Sequence, residues 1–285
     1  MKIFLDTIDL EEIKKYSEIF DVAGITTNPN LARRFGMSDD IEMVREIGKV
    51  IGKQKEIHVE AFGENAKEII ENSKRIRKNC SNFNLVFKIP FSEEGVKASK
   101  YLISKKYSTN LHLIFSISQA IISSSINSNY ICPLIGRLDD IGHNAIDNLN
   151  KIIKSFKLNN SKTLVMGSSV RNLNHVIDCY QIGVDAVTIP MKVIKEMFNH
   201  PLTDTGIQLF RKDLKFESEF NTYRNLGLPP QPICFPGIDS LISVSKPLES
   251  ELLYFVAKNK NGEHYFSTNY KDHLRNVKAV KNEKN

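Results

Sequence analysis

Phe83-Asn84-Leu85-Val86-Phe87-Lys88-Ile89-Pro90 is a short apolar run rich in β-forming side chains, as a strand covered on both faces requires. Segments of helical period flank it, Glu64 to Asn79 before and Glu93 to Lys106 after. A buried strand between two helices is the unit from which parallel α/β sheets are built. The one charged residue inside it, Lys88, is out of place in such a strand. An amine held among apolar side chains has its ammonium form disfavoured, so its expected pKa is lowered and its neutral form can attack a carbonyl. The alternative is a lysine whose stem follows the strand end while its ammonium reaches water.

The same alternation extends on both sides of this unit. Eight β-rich runs can be read before about residue 215: Ile3 to Asp6, Ala23 to Thr27, Glu56 to Phe62, Asn84 to Ile89, Asn110 to Phe115, Tyr130 to Ile135, Thr163 to Met166 and Ala186 to Ile189. Further helical segments, Asp139 to Phe156 and Leu173 to Ile182, lie between them, several opened by Ser, Asp or Asn as caps. Eight strands with helical crossovers predict a compact α/β fold, a (β/α)8 TIM barrel over residues 1–215. A doubly wound open sheet is the competing architecture, but the turn after the first strand lacks the GxGxxG glycines. Past Phe216 to Tyr223 the alternation stops and Gly and Pro become dense. Strand candidates Leu252 to Ala257 and His264 to Ser267 follow, joined across an Asn261-Gly262 turn signal. Residues 216–285 therefore read as a small C-terminal α+β appendage, with a frayed charged end from Lys278 to Asn285.

Strand parity sorts the polar residues. Alternate residues of a barrel strand face the interior, and reactive groups gather at the C-terminal strand ends. In the fourth run Asn84, Val86 and Lys88 share a face against Leu85, Phe87 and Ile89. In the fifth, Asn110 and His112 oppose Leu111, Leu113 and Phe115; in the third, His58 and Glu60 oppose Ile57, Val59 and Ala61. The first run closes on Asp6, and the second on Thr26 with Asn28 two residues on. Polar groups from five strands thus converge on one mouth. Each has a structural alternative: Glu60 as an exposed strand end, His112 as a core histidine, Asn28 as a cap before Pro29, and Asp6 as the cap of the helix near Asp9.

The later strands add cations. Arg137 follows the sixth run, and Gly167-Ser168-Ser169-Val170-Arg171 follows the seventh. Guanidinium groups with hydroxyls and free backbone N–H groups suit a phosphate, so a phosphorylated substrate is expected; the alternative is an arginine neutralised by Asp139 or Asp140.

Composition narrows the class. Of 285 residues, 39 are basic and 33 acidic, a net charge of +6 without a basic stripe, so no nucleic-acid partner is expected. No run approaches the roughly 18 apolar residues of a membrane span, so no membrane partner is expected either. Cys80, Cys132, Cys179 and Cys234 are widely separated, which suits reduced thiols in a cytoplasmic protein rather than disulfides or a zinc site. Neither a metal nor a cofactor is expected.

Phe4-Leu5-Asp6-Thr7, Gly24-Ile25-Thr26-Thr27-Asn28-Pro29, Lys88-Ile89-Pro90, Gly136-Arg137-Leu138-Asp139-Asp140-Ile141-Gly142, Ser169-Val170-Arg171-Asn172 and His200-Pro201-Leu202-Thr203-Asp204 together resemble the small bacterial transaldolases, a family that includes the fructose-6-phosphate aldolases. The resemblance covers residue 1 to about 215. It implies that Lys88 forms a Schiff base with a ketose phosphate and that Asp6 exchanges the C4 hydroxyl proton. It further implies that Asn28 holds the donor hydroxyls, Glu60 works through a water, and Arg137, Ser169 and Arg171 hold the sugar phosphate. With Thr26 and Asn110 added as substrate-binding candidates, the catalytic set is Lys88, Asp6, Glu60 and His112. The implied activity is transaldolase of the pentose phosphate pathway, in a homo-oligomer. A fructose-6-phosphate aldolase-type lyase is the alternative, and Glu60 favours the transferase because the aldolases carry glutamine there. Two positions depart from the pattern: His112 stands where threonine is usual, and Leu134 where an aromatic residue is usual.

The tail has its own resemblance. Asn221-Thr222-Tyr223-Arg224, Gly227-Leu228-Pro229-Pro230-Gln231-Pro232-Ile233, Pro236-Gly237 and Tyr254-Phe255-Val256-Ala257 are similar to the C-terminal part of the YceG-like endolytic murein transglycosylases. Glu217 and Glu219 do not match that family's glutamate motif. The tail therefore reads as a non-catalytic fragment or sugar-contacting appendage, with murein binding or cleavage as an alternative function of another class.

Overall fold

A computed structural model of the chain describes residues 1–37, 39–231, 236–246, 249–258 and 263–282. The chain divides into two compact units, Met1–Thr203 and Asp204–Asn285.

In the first unit eight strands, β1 (Lys2–Asp6), β2 (Gly24–Thr26), β3 (Glu56–Glu60), β4 (Asn84–Pro90), β5 (Ser108–Ile114), β6 (Tyr130–Pro133), β7 (Leu164–Gly167) and β8 (Ala186–Pro190), pair in sequence order into a closed barrel. Closure is direct: β1 is parallel to β2 and also to β8, with Phe4 opposite both Gly24 and Thr188. A closed ring excludes the open doubly wound sheet. The outward residues Leu5, Ile57, Val59, Leu85, Phe87, Ile89, Leu111 and Val187 are buried against the surrounding helices. Phe4, Val86, Tyr130, Cys132, Met166 and Ala186 fill the barrel interior. At Gly24 an added Cβ would lie 2.1 Å from the Glu56 carbonyl oxygen, so only glycine lets β2 approach β3 this closely.

Three expectations change. The segment Asp139 to Phe156 is not one helix: a short helix, Ile135–Asp139, ends in a turn at Gly142 (φ 76°), and a second helix, Ala145–Leu158, starts behind the Asn144 cap. Leu113 does not share a face with Leu111. The β5–β6 register shifts between His112 and Ile114, leaving Leu113 as the extra residue of a bulge with φ 58°, and Ile114 takes the buried outward position instead. Of the end expected to be frayed, Lys278 to Asn282 is helical, as the last turns of a helix from Tyr270 to Asn282 with Tyr270, His273, Val277 and Val280 along one side, and residues 283–285 lie outside the described residues.

In the second unit, β9 (Tyr254–Ala257) and β10 (His264–Ser267) pair antiparallel with Phe255 opposite Phe266. Tyr254 stacks on His273 with ring centroids 5.6 Å apart, and Asn276 Nδ2 donates to Ser267 Oγ at 3.0 Å. Helix Ile238–Ser245 belongs to the same unit. The Asn261-Gly262 turn signal and Cys234 lie outside the described residues. Among those described, no helix is long and apolar enough to cross a membrane, and Cys80, Cys132 and Cys179 are free thiols.

Candidate active site

At the C-terminal ends of the barrel strands lies a cavity of about 220 Å³. Register builds it. Glu60 is opposite Lys88 across β3 and β4, and His112 is opposite Cys132 across β5 and β6.

Lys88 is 9% exposed and Glu60 5%. Lys88 Nζ donates to the Thr27 carbonyl at 2.8 Å and lies 3.1 Å from Glu60 Oε2; the other carboxylate oxygen, Oε1, meets His112 Nε2. Burial opposes charge on both members, but each overcomes it through the other. The Lys88 ammonium and the His112 bond hold the Glu60 carboxyl below its ordinary range, and the Glu60 carboxylate, with Cys132 and Asp6 nearby, holds the Lys88 amine above its own. This corrects the expectation of a depressed lysine: the Glu60 carboxylate 3.1 Å away favours the ammonium form of Lys88, which must lose a proton before it can act as a nucleophile.

Asp6 behaves in the opposite way. Desolvation raises its carboxyl, and Lys88 with the hydrogen bonds of Thr26 and Asn28 only partly compensates. Thr26 Oγ1 donates to Asp6 Oδ1 at 3.0 Å, Asn28 Nδ2 lies 3.4 Å from the same oxygen, and Thr188 Oγ1 is 2.5 Å from Thr26 Oγ1. Asp6 is not a helix cap. Asp9 caps the following helix by accepting from the Glu11 and Glu12 N–H groups, which leaves the Asp6 carboxyl to the cavity. Asn28 does both jobs: Oδ1 caps helix Pro29–Arg34 at the Leu31 N–H, and its amide faces Asp6.

Two predicted residues are placed elsewhere. Asn110 is fully buried beneath the cavity, where its Nδ2 donates to His58 Nδ1 at 3.0 Å. Burial lowers the pKa of His58 against the pull of Glu56, whose Oε2 its Nε2 meets at 3.0 Å, while Tyr130 donates to Glu56 Oε1 at 3.1 Å. Asn110 therefore belongs to a polar plug inside the barrel. Arg171 is clamped by both Asp140 oxygens at 2.6 and 2.5 Å and does not line the cavity. Its loop packs so close to Gly136 that an added Cβ would lie 2.5 Å from Arg171 Nε. Arg137 and Ser169 do line the cavity, and Arg137 is exposed, with no ion pair among the described residues. Of the predicted pair of arginines, one is an open guanidinium among the described residues and one is neutralised by Asp140.

Ser168, of the predicted hydroxyl loop, also lines the cavity, whereas Thr188 and Leu113 line it without having been singled out by the sequence. Thr188 was accessible to parity, since it lies two residues from inward-facing Ala186. Leu113 carried no signal, because a bulge leaves no trace in composition or spacing.

Fold and cavity define a (β/α)8-barrel protein with a buried lysine–carboxylate pair at the mouth of its strands. The chain belongs to the transaldolase/fructose-6-phosphate aldolase family, whose model matches residues 3–227. It is similar to a probable transaldolase of Clostridioides difficile, 40% identical over 213 residues that cover 75% of this chain and 96% of that one. A probable transaldolase of Clostridium acetobutylicum is 39% identical over 215 residues, 75% of this chain and 98% of the relative. Residues 195–279 match the model of the YceG-like family.

Proposed function

We propose that the barrel is a class I transaldolase, moving a dihydroxyacetone unit from a ketose phosphate, sedoheptulose 7-phosphate or fructose 6-phosphate, to an aldose phosphate in the pentose phosphate pathway. The observation that carries this reading is Lys88, buried 3.1 Å from Glu60 in a cavity that Asp6 also lines. Glu60 and His112 take the proton that Lys88 must lose, and the neutral amine adds to the ketose carbonyl; loss of water gives the protonated imine. Asp6, with its raised carboxyl pKa, takes the C4 hydroxyl proton as the C3–C4 bond breaks, and the bonding pair moves into the imine to form an enamine. An acceptor aldehyde reverses the sequence. Thr26 and Thr188 hold Asp6, Asn28 contacts the donor hydroxyls, and Arg137 with Ser169 receives the phosphate.

Glu60 favours transfer over the aldolase-type lyase, because the resembling aldolases carry glutamine at this position. Fructose 6-phosphate consumption, measured with and without erythrose 4-phosphate, separates them: transfer requires the acceptor, and equal rates without it would establish the lyase. The match of residues 195–279 to the YceG-like family supports one further reading, murein binding by the tail. Pulldown of the full chain by murein glycan strands tests it, and no retention would dismiss it.

A further inference from the structure

Five non-glycine residues among those described have positive φ: Lys106, Leu113, Asn127, Asn160 and Ser169. Lys106, Asn127 and Asn160 follow the ends of helices, where the left-handed conformation is a common way to stop. The remaining two, Leu113 and Ser169, both line the cavity. Strained backbone is thus concentrated at the site. Of the two, Leu113 is the more costly, because a leucine enters this region only against the clash of its Cβ with the backbone.

The cost has a visible result. The bulge reverses the parity of β5 after His112, so that Leu113 follows His112 into the cavity while Ile114 packs among the helices. Apart from Leu113 and Leu134, the lining next to Lys88 and His112 is mainly carboxylate, hydroxyl, amide and cation. With Pro29, the two leucines are its aliphatic wall.

We propose that Leu113 is a specificity-determining residue, held inward by the β5 bulge to keep water from the enamine carried on Lys88. The assignment rests on the Schiff-base reading above. The nucleophilic enamine carbon has two fates. It can take a proton, its electron pair forming a C–H bond, after which one water hydrolyses the imine to dihydroxyacetone and the free amine. Alternatively it attacks the carbonyl carbon of an acceptor aldehyde, forming a C–C bond while the aldehyde oxygen takes a proton. The first fate needs water or another proton donor at the carbon, and an apolar side chain beside His112 denies it that access.

The test uses the full chain and two substitutions that suit a positive φ. Leu113→Gly relieves the backbone and deletes the side chain, while Leu113→Asn keeps similar bulk, tolerates the left-handed region and is polar. Each variant is measured for acceptor-independent dihydroxyacetone release against acceptor-dependent transfer, for thermal midpoint, and for borohydride-trapped adduct on Lys88. The expected result is a ratio of release to transfer raised about tenfold or more in both variants, with folding retained and the adduct still formed. An unchanged ratio in both, or a rise in Leu113→Gly alone, would overturn the assignment, the latter by implicating backbone looseness instead of polarity. A wild-type chain that forms no adduct at Lys88 would overturn the Schiff-base reading itself and this assignment with it.

Discussion

Replacing Glu60 by glutamine removes the charge that sets the state of Lys88 while nearly preserving shape. At the observed 3.1 Å, two unit charges interact by about 5 kcal/mol at an effective dielectric constant near 20, the largest favourable contribution available to this ammonium. Burial acts against it and is unchanged by the substitution. The lysine therefore responds by giving up its proton more easily rather than by staying charged and unpaired. Two consequences pull apart. The acidic limb of the pH–rate profile for imine formation moves to lower pH, because the neutral amine appears earlier. The plateau rate falls by roughly 10²–10⁴, the usual contribution of a positioned acid/base group, because no carboxylate remains to receive the proton. Rapid mixing with fructose 6-phosphate followed by a borohydride quench, repeated across the acidic and neutral range, measures both. A limb that stays in place or moves upward would refute the claim that Glu60 holds Lys88 as an ammonium ion.

Asp6→Asn should lower turnover by roughly 10²–10⁴ while still allowing imine trapping, since the amide can accept from Thr26 but cannot take the C4 proton. Because the raised Asp6 pKa makes ionisation unfavourable in the folded chain, that penalty grows as pH rises from the ordinary carboxyl value through the folded one and persists at neutral pH; the same variant should melt higher there, as differential scanning calorimetry would record. Lys88→Met strands a buried carboxylate and should cost roughly 3–5 kcal/mol, and combining it with Glu60→Gln should recover on the order of 1–3 kcal/mol in a denaturant-melt cycle. Arg137→Ala should raise KM for a phosphorylated ketose by about 10–100-fold, the worth of a charge-assisted hydrogen bond, whereas Arg171→Ala should raise it less, Asp140 having already neutralised that group; steady-state kinetics with fructose 6-phosphate compare the two.

Much of this architecture was legible from pattern alone, for identifiable reasons. Apolar runs such as Leu85 to Ile89 between amphipathic segments admit few arrangements, and right-handed crossovers with short connections close them into a ring. Parity then carries position: once β3 and β4 are parallel neighbours, Glu60 and Lys88 must face the same interior. What was not legible depends on distances between strands or on irregularities within one. For Lys88, burial is visible in the sequence, whereas the carboxylate 3.1 Å away that favours its ammonium form is not. Parity puts Leu113 on the face opposite the one it takes, because one inserted residue reverses every later side chain of the strand. For Arg171 the sequence leaves two readings open, an anion ligand or an arginine neutralised by Asp139 or Asp140, and the structure selects the second, with Asp140. Asn110 was on the correct face but too deep, since parity gives a side and not a height along the barrel axis.

The central claim is that Lys88 forms a covalent imine with a ketose phosphate. Incubating the full chain with fructose 6-phosphate, reducing with borohydride, and sequencing the modified peptide by mass spectrometry tests it directly. The predicted result is a single reduced dihydroxyacetone adduct on Lys88, absent from Lys88→Met; an unmodified Lys88, or an adduct on another lysine that survives in Lys88→Met, would contradict the account.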